Sequence, residues 1–595
     1  MYATPIKSRS DPLARQKPAS SATRYIIGIF IFFLSLFIIV HFYASVHLHS
    51  HDSNANAAME EVQLSRLRNK AAVLLHNLEE DKKKIAQIMN SVSSNNVNSN
   101  SMNDMSNAGG FAGHNILTMS DSEFYSTTID VMMSSYGEAS GDGTCSLDFG
   151  NTLVNNWRTK NQTYCHKASN LKPTSLGSSV ECSLVHQTRH HGQGDNLCVM
   201  NKVSVNLGIF GDQKRTSDVV KHYVETKHND QPYMRFPRGF VQADCEVDGK
   251  LWRDEFMPGW NAEWTTKAME TVPPDRAVEC DEWVEHPVLV VQRDTFANFF
   301  HDSEDFVNVF LSLAILRWNI GDTQIYLTDL YPQGPFWEMW SKVFSSPKHQ
   351  TLTAWDLRNI HGKDTNRRVC FKKLAINIYG PAAPITVASW NTPCSRTALV
   401  RAYSDYVIRG LNLQSLTHYM APVPSKKVVV TWMARRASSE WPEKRFCDSK
   451  NSFFDCVLWD SFGIRSLGRM VQNDHELVTA LKGLEKETYV NGAQVVFQDV
   501  DYNLLSFEEQ IKVDLQTDVM VGPHGAGLLH NIFMRDRAVL VELSVDGSGG
   551  LRHFHNLAHW YGRRYVNLTP SNPVRVEALY KELAQIIAAI DISKY

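Results

Sequence analysis

The last third of the chain predicts an α/β fold built on a parallel sheet. Short apolar runs that suit buried strands alternate with helical segments, and the capping box at 506–509 begins one of these helices. Strands that alternate with helices in this way imply right-handed crossovers and therefore parallel pairing. The predicted strands are 427–433, 494–497, 518–521, 539–543 and 564–567, and the predicted helices include 528–534 and 553–561.

The segment VGPHGAGLLHNIF at 521–533 places a histidine and a Gly-Ala-Gly turn directly after one of these strands. Gly525 and Gly527 would let the backbone approach a ligand closely, and His524 offers a donor that can meet negative charge. Such sheets bind ligands at the carboxyl ends of their strands, where a helix N-terminus adds partial positive charge. The pattern therefore predicts a phosphate contact in a nucleotide-binding domain, and an ordinary Gly-x-Gly turn is the alternative.

Length and charge limit the classes of protein that fit. The chain has 595 residues, which is room for several domain-sized units. It carries 60 Lys and Arg against 63 Asp and Glu, for a net formal charge of −3. Nucleic acid is therefore not an expected partner, because its binding normally requires a basic face.

A transmembrane helix is predicted at 25–46, where the chain is apolar over a length that can span a bilayer. The tail at 1–24 is rich in Lys and Arg, which places it in the cytosol by the positive-inside rule. The remainder is then expected to be lumenal, as in a single-pass type II membrane protein. A cleaved signal peptide ending near 44–46 is the alternative.

A stem is predicted at 47–144, between the membrane and the globular part. Apolar residues at 62–89 recur in steps of three and four, which is a coiled-coil pattern that would allow a homodimer, although a single amphipathic helix also fits. The segment 90–115 is low in complexity and unable to bury a core. Two domains are then predicted, at 145–425 and at 426–595.

The ten cysteines all follow the predicted transmembrane helix, which fits disulfides in an oxidising lumen. No CxxC pair is present, so a zinc knuckle is disfavoured. His186, His190 and His191 lie close together without ligands at a recognised zinc spacing, and we predict a solvated loop there. Asn161 and Asn567 begin glycosylation sequons that would face the lumen.

Five segments between about 280 and 570 carry a resemblance to a known family. They are DTFANFFHDSEDFVNVF at 294–310, RRVCFKKLAI at 367–376, WNTP at 390–393, VVVTWMARR at 428–436, and VGPHGAGLLHNIFM with AVLVEL within 521–543. The set resembles glycosyltransferase family 61, which holds plant β-1,2-xylosyltransferases, xylan-decorating transferases and the O-GlcNAc transferases that act on EGF repeats. Asn298, His301 and Asp305 match the family's Asn-x-x-His-x-x-x-Asp pattern.

The resemblance implies a fold and a reaction. The fold would be of the GT-B type, with two Rossmann-like domains facing a cleft. The domain at 145–425 would be the acceptor-side domain, and the domain at 426–595 would be the nucleotide-sugar-binding domain. The reaction would be inverting transfer of a sugar, xylose or GlcNAc, from a UDP-sugar to a glycan or glycoprotein in the Golgi. The UDP-sugar is a donor substrate, no tightly bound cofactor is expected, and a divalent metal is not expected to be required.

Inversion requires a base for the acceptor hydroxyl and cationic or donor groups for the leaving diphosphate. Asp305 is the candidate base, or the group that orients His301 as base, because residues four apart share a helix face. Asp302 and Glu304 are expected to point elsewhere. Arg435 and His524, with Gly525 and Gly527, would contact the diphosphate, and Glu542 would bind ribose hydroxyls, while Arg436 would face solvent.

Two other functions compete with this interpretation. Asp499 and Asp501 form an Asp-x-Asp pair that could hold a metal ion in a metal-dependent transferase, although their position after a strand favours a loop. A catalytically inactive lumenal binding protein would keep the His-Asp pair and the PHGAG turn only for packing. Binding or hydrolysis of a UDP-sugar distinguishes these alternatives.

Overall fold

The computed structural model describes residues 115–137, 143–169, 175–185, 195–212, 236–253, 260–273, 276–386, 394–417, 426–436, 469–545 and 551–593. The predicted transmembrane helix and coiled-coil segment lie outside these residues, as do the three clustered histidines at 186–191 and the WNTP segment. Within the described ranges, no helix has the length and apolar composition needed to cross a membrane.

The strands, numbered in chain order, are β1 Asn161–Lys167, β2 Ser179–Val185, β3 Asp195–Asn206, β4 Val241–Ala243, β5 Cys245–Val247, β6 Met269–Thr271, β7 Glu282–Val284, β8 Val288–Val291, β9 Gln324–Leu327, β10 Leu352–Thr353, β11 Arg368–Ile376, β12 Lys427–Met433, β13 Gln494–Val500, β14 Val519–Pro523, β15 Val539–Leu543 and β16 Arg564–Leu568.

The α-helices are α1 Asn115–Thr118, α2 Asp121–Ser126, α3 Ile129–Ser134, α4 Gly143–Phe149, α5 Asn151–Thr159, α6 Trp260–Ala262, α7 Phe299–Leu316, α8 Ala354–His361, α9 Ala398–Gly410, α10 Asp474–Leu481, α11 Phe507–Asp514, α12 His553–Tyr561 and α13 Val576–Ala588. Shorter 3-10 and π turns join them, including 3-10 turns at Gly380–Ala382 and Pro384–Thr386.

The globular part begins before residue 145. α1, α2 and α3 fall within the predicted stem, yet Ile116, Phe124 and Met133 are buried in a hydrophobic cluster shared with α7 and α9. The low-complexity composition stops near residue 115, and the apolar side chains that follow are enough to attach this segment to the core.

The first sheet is mixed. Its strand order is β10-β9-β8-β11-β3-β2-β1-β5, with β4, β6 and β7 pairing beside this path. The strands β7, β8, β9, β10 and β11 pair in parallel. From β11 onwards the pairing with β3, β2, β1 and β5 is antiparallel. Only part of the first sheet therefore has the parallel arrangement that a Rossmann-like domain would have.

The second sheet is fully parallel, with strand order β13-β12-β14-β15-β16. β12 and β15 have the predicted bounds, and the other three strands form at the predicted places with longer C-terminal ends. The predicted capping box at Ser506 and helix α12 are also confirmed. The segment after the PHGAG turn is a 3-10 helix, Ala526–Phe533.

Both faces of the second sheet are covered. Met520 and Leu540 face the large central cluster that includes residues of α7 and α9. Val519 and Val541 face a second cluster, which Leu583 of α13 helps to close. Because alternate side chains point to opposite faces, burial on both faces explains why these strands are continuous apolar runs.

Three of the four disulfides in the described ranges join cysteines at least 80 residues apart, and the fourth links the paired strands β2 and β3. The bonded pairs are Cys145–Cys394, Cys165–Cys245, Cys182–Cys198 and Cys280–Cys370. No cysteine in the described ranges is free, and Cys447 and Cys456 lie outside those ranges. The prediction of disulfide bonding is thus confirmed for the eight cysteines that the structure describes.

Candidate active site

His524 lies at the carboxyl end of β14, where it is held by a chain of hydrogen bonds. Its Nδ1 is 2.5 Å from Oε1 of Glu542, which stands on the neighbouring strand. The Tyr565 hydroxyl donates to the other oxygen of Glu542 at 2.9 Å, and Asn567 Nδ2 donates to that hydroxyl at 2.9 Å. Since the carboxylate makes Nδ1 the donor, Nε2 is the nitrogen left to face a ligand.

Glu542 therefore has a different environment from the one expected of a ribose ligand. It is 0% exposed, and both carboxylate oxygens accept hydrogen bonds inside the protein. Its geometry suits the orientation of His524 more than direct contact with a nucleotide. Burial, followed by the charge of Glu542, raises the pKa of Tyr565 and keeps that side chain a phenol that can donate.

Arg435 and the two glycines meet beside this histidine. A Cβ atom on Gly525 would lie 2.4 Å from Nη1 of Arg435, so the guanidinium passes directly over the turn. A Cβ on Gly527 would lie 2.7 Å from Sδ of Met433, at the end of β12. A side chain at either position would displace the flexible end of Arg435 or Met433, and the structure places Arg435 beside the turn that follows His524.

His301 lies in the first turn of α7. The helix begins at the N-cap Asn298, whose side chain accepts from the amide of Phe300. The Nδ1 atom of His301 is 2.8 Å from Oε2 of Glu304 and 3.9 Å from Oδ2 of Asp294. The His301 side chain is 45% exposed, whereas that of Glu304 is 1% exposed. This pair therefore presents an accessible imidazole that is supported by a buried carboxylate.

The surroundings of His301 and Glu304 favour a proton held between these two side chains. Burial opposes protonation of His301, but the hydrogen bond and charge of Glu304 together raise the pKa of His301. Burial also raises the pKa of Glu304, against the effect of His301. The Thr386 hydroxyl donates to the second oxygen of Glu304 at 2.7 Å and fixes the carboxylate. An imidazole in this setting can accept a proton from a bound hydroxyl.

Asp305 does not contact His301 as expected. Its side chain turns into the protein, where Oδ2 accepts from the backbone amide of Asp294 at 2.7 Å and the residue is 1% exposed. Burial, and then the nearby charge of Asp294, raise the pKa of Asp305 well above its usual range. Glu304, which the sequence ranked lower, is the partner of His301, because positions three and four residues apart both share its helix face.

A third histidine, which the sequence did not single out, lies close to the elements that carry His301 and His524. His553 is the first residue of α12, and its ring meets that of Phe300 edge to face at 4.7 Å. The neighbouring ring of Phe554 is 5.1 Å from that of His524. Burial, and then the charges of His524 and His301, lower the pKa of His553 to about 4. His553 is therefore near both predicted histidines.

Three side chains in the described ranges lie close enough together to hold one metal ion. Asp294, His301 and Glu304 each offer a ligand atom, and these atoms lie within 4.8 Å of one another.

The Asp-x-Asp pair, Asp499 and Asp501, contacts other protein groups. Asp499 binds the guanidinium of Arg436 at 2.8 Å, and Asp501 accepts from the amide of Asn503. Arg436 also binds Asp474, so it is engaged in ion pairs instead of facing solvent alone.

This architecture, with parallel strands that carry the site at their carboxyl ends, fits the Rossmann-like class of glycosyltransferases. Residues 299–541 match the family described as Glycosyltransferase 61. The matched region begins with the helix that bears His301 and ends within the strand that bears Glu542.

Individual relatives share 25–26% sequence identity with this chain. The chain is 25% identical over 371 residues to the EGF domain-specific O-linked N-acetylglucosamine transferase of Bos taurus. The aligned region covers 59% of this chain and 60% of that protein. It is 26% identical over 392 residues to the protein of the same name in Gallus gallus, covering 62% and 63%. The corresponding Drosophila melanogaster protein is 26% identical over 385 residues, covering 62% and 60%. The chain thus spans about 60% of the length of these relatives.

Proposed function

We propose that the protein is an inverting glycosyltransferase that transfers a sugar from a UDP-sugar to a glycoprotein or glycan. The observation that carries this proposal is a group of aromatic contacts that links His301 and His524: the ring of Phe300 contacts the rings of His301 and Phe554, and the ring of Phe554 contacts that of His524. One histidine is accessible and paired with an acid, as a base requires. The other stands beside Arg435 at the carboxyl end of a parallel strand, as diphosphate binding requires.

The proposed reaction is a single displacement. His301 accepts the proton of the acceptor hydroxyl, and the acceptor oxygen attacks the anomeric carbon. The bond from this carbon to the β-phosphate oxygen breaks, and UDP leaves with its electron pair. Nε2 of His524 and the guanidinium of Arg435 donate to the diphosphate, where negative charge develops. Glu304 stabilises the imidazolium of His301, and Asp305 acts as a buried positioning residue of the loop that carries Asp294.

In this proposal the two sheets correspond to the two halves of a GT-B enzyme, with the donor on the second sheet and the acceptor beside α7. The relatives named as O-linked N-acetylglucosamine transferases make UDP-GlcNAc the first donor to test, with UDP-xylose as the second. Their named acceptor, the EGF domain, is the first acceptor to test. We further propose that the enzyme is a type II Golgi membrane protein with its catalytic part in the lumen.

The function can be tested with the full-length protein purified in detergent. The protein is incubated with UDP-GlcNAc, UDP-xylose and UDP-arabinose, each with an EGF repeat, an N-glycan or xylan, and both released UDP and modified acceptor are measured. We expect one donor to be transferred, with loss of turnover in His301→Ala. Binding of UDP without turnover of any donor would support the alternative of an inactive lumenal binding protein.

Topology is tested separately on intact microsomes. The lumenal placement predicts that added protease removes the tail before residue 25 and spares the C-terminal part until detergent is added. Degradation of the C-terminal part in intact vesicles would contradict the type II orientation without affecting the enzymatic proposal.

A further inference from the structure

His553 occupies a position that the proposed reaction does not yet explain. Its ring contacts Phe300, the residue before His301, with 4.7 Å between ring centroids. On the other side, the ring of the adjacent Phe554 contacts His524 at 5.1 Å and Phe300 at 6.1 Å. The start of α12 therefore joins the two histidines through one group of aromatic rings. A substrate group bound between the proposed base His301 and the diphosphate would therefore lie beside His553.

One ring nitrogen of His553 is left without a hydrogen-bond partner by the residues that the structure describes. Nδ1 is buried, and within the described ranges it has no hydrogen-bond partner. A buried polar atom left without a partner is unfavourable, so a ligand group that hydrogen-bonds to it would gain that contact on binding. Because burial and the two neighbouring histidines lower its pKa to about 4, the ring is neutral near pH 7 and can both donate and accept. A sugar hydroxyl or amide is a suitable partner for a neutral ring, whereas a phosphate prefers a cation.

The geometry of inversion decides which part of the substrate lies there. In a single displacement, the attacking oxygen and the leaving oxygen lie on opposite faces of the anomeric carbon, and the sugar ring lies between them. A base beside the first oxygen and a phosphate ligand beside the second must therefore flank the sugar. His553 contacts Phe300 beside His301, and its neighbour Phe554 contacts His524, so His553 then lies beside the sugar itself.

We propose that His553 hydrogen-bonds the transferred sugar and helps to determine which UDP-sugar is accepted. This inference rests on the proposed function, because it assumes His301 as base and His524 as diphosphate ligand. A site that hydrogen-bonds a substrate group rejects analogues that lack the group, because its own polar atom is then left unpaired. His553 is accordingly a specificity-determining residue for the donor.

The test compares two replacements. His553→Phe keeps an aromatic ring against Phe300 and removes both nitrogens, while His553→Asn retains an amide that can take the place of Nδ1. The control is His559→Asn, on an exposed position of the same helix. Calorimetry with UDP and with UDP-GlcNAc, kcat/KM for each UDP-sugar, and thermal melting are measured on the full-length proteins.

We expect His553→Phe to bind UDP within about threefold of wild type, since the nucleotide contacts are intact. Its kcat/KM for the preferred donor should fall by about 10–100-fold, with a smaller fall for a donor that lacks the contacted group. His553→Asn should recover part of the loss. An equal loss for every donor, or a matching loss of UDP affinity, would overturn the assignment to the sugar. Normal turnover in His553→Phe would also refute it while leaving the proposed function intact, whereas a wild-type protein that uses no UDP-sugar refutes both.

Discussion

Replacement of Glu304 by Gln should move the acid limb of the pH–activity profile to lower pH. His301 must be neutral to act as a base, so activity is lost as pH falls through its pKa. In wild type the charge of Glu304 raises that pKa above the ordinary value of a histidine, and the limb should have its midpoint above about pH 6.5. The Gln side chain removes the charge and keeps the shape, so the imidazole becomes harder to protonate.

The size of the shift follows from the geometry of the pair. Nδ1 of His301 and Oε2 of Glu304 are 2.8 Å apart, a distance at which a fully buried pair would interact strongly. The His301 side chain is 45% exposed, and solvent screening therefore reduces the net coupling to about 1 kcal/mol. Loss of a coupling of this size should lower the pKa of His301, so the limb is expected to move measurably to lower pH. The plateau above the limb should fall by about 2–10-fold, because a weaker base is also less well oriented.

The assay is kcat/KM measured from pH 5 to pH 9 for wild type, Glu304→Gln and Thr386→Val. The Thr386 hydroxyl contacts Glu304 without carrying charge, so its removal should leave the midpoint within about 0.3 pH unit. An unchanged midpoint in Glu304→Gln would mean that the limb does not report His301. Complete loss of activity at every pH would instead assign a direct chemical role to Glu304, either as the base or as a metal ligand with Asp294.

Four further outcomes test the site and the fold. Tyr565→Phe should weaken UDP binding by about 3–10-fold in calorimetry without a large change in melting temperature, because it removes one donor to Glu542. His524→Ala should weaken UDP binding and slow transfer together, by about 10–100-fold; normal UDP affinity would reduce the PHGAG turn to a structural role. Transfer should survive EDTA, and activity restored only by Mn²⁺ would contradict the metal-free mechanism. Leu583→Ala should lower the free energy of unfolding by about 2–5 kcal/mol in denaturant titration, since this side chain is fully buried against the second sheet.

The parallel sheet could be predicted because its determinants are local. Each strand is a short apolar run, and the capping box and turn residues mark where helices begin. The same local logic located His524 and its glycines, since the carboxyl end of a parallel strand is a known ligand position. The antiparallel half of the first sheet could not be predicted, because its pairing joins strands that are distant in sequence, such as β3 with β11.

The partner of His301 illustrates where spacing ceases to be informative. Glu304 and Asp305 lie three and four residues after His301, and both spacings place a side chain on its face of a helix. The choice depends on the loop before α7, because the amide of Asp294 binds Asp305 and turns it away. Thr386, more than eighty residues further on, then completes the environment of Glu304. These are tertiary contacts, and no local pattern carries them.

The two histidine–carboxylate pairs differ in exposure, and this difference accounts for their separate roles. The His301 side chain is 45% exposed and can meet a hydroxyl of a large acceptor that arrives from solvent. The His524 side chain is 4% exposed, and a fully buried Glu542 holds its ring, so it can serve only a group that enters the protein. A small, charged diphosphate suits the second environment, because burial strengthens each hydrogen bond to it. A bulky protein or glycan acceptor suits only the first, which is why the base, and not the diphosphate ligand, is expected to lie at the surface.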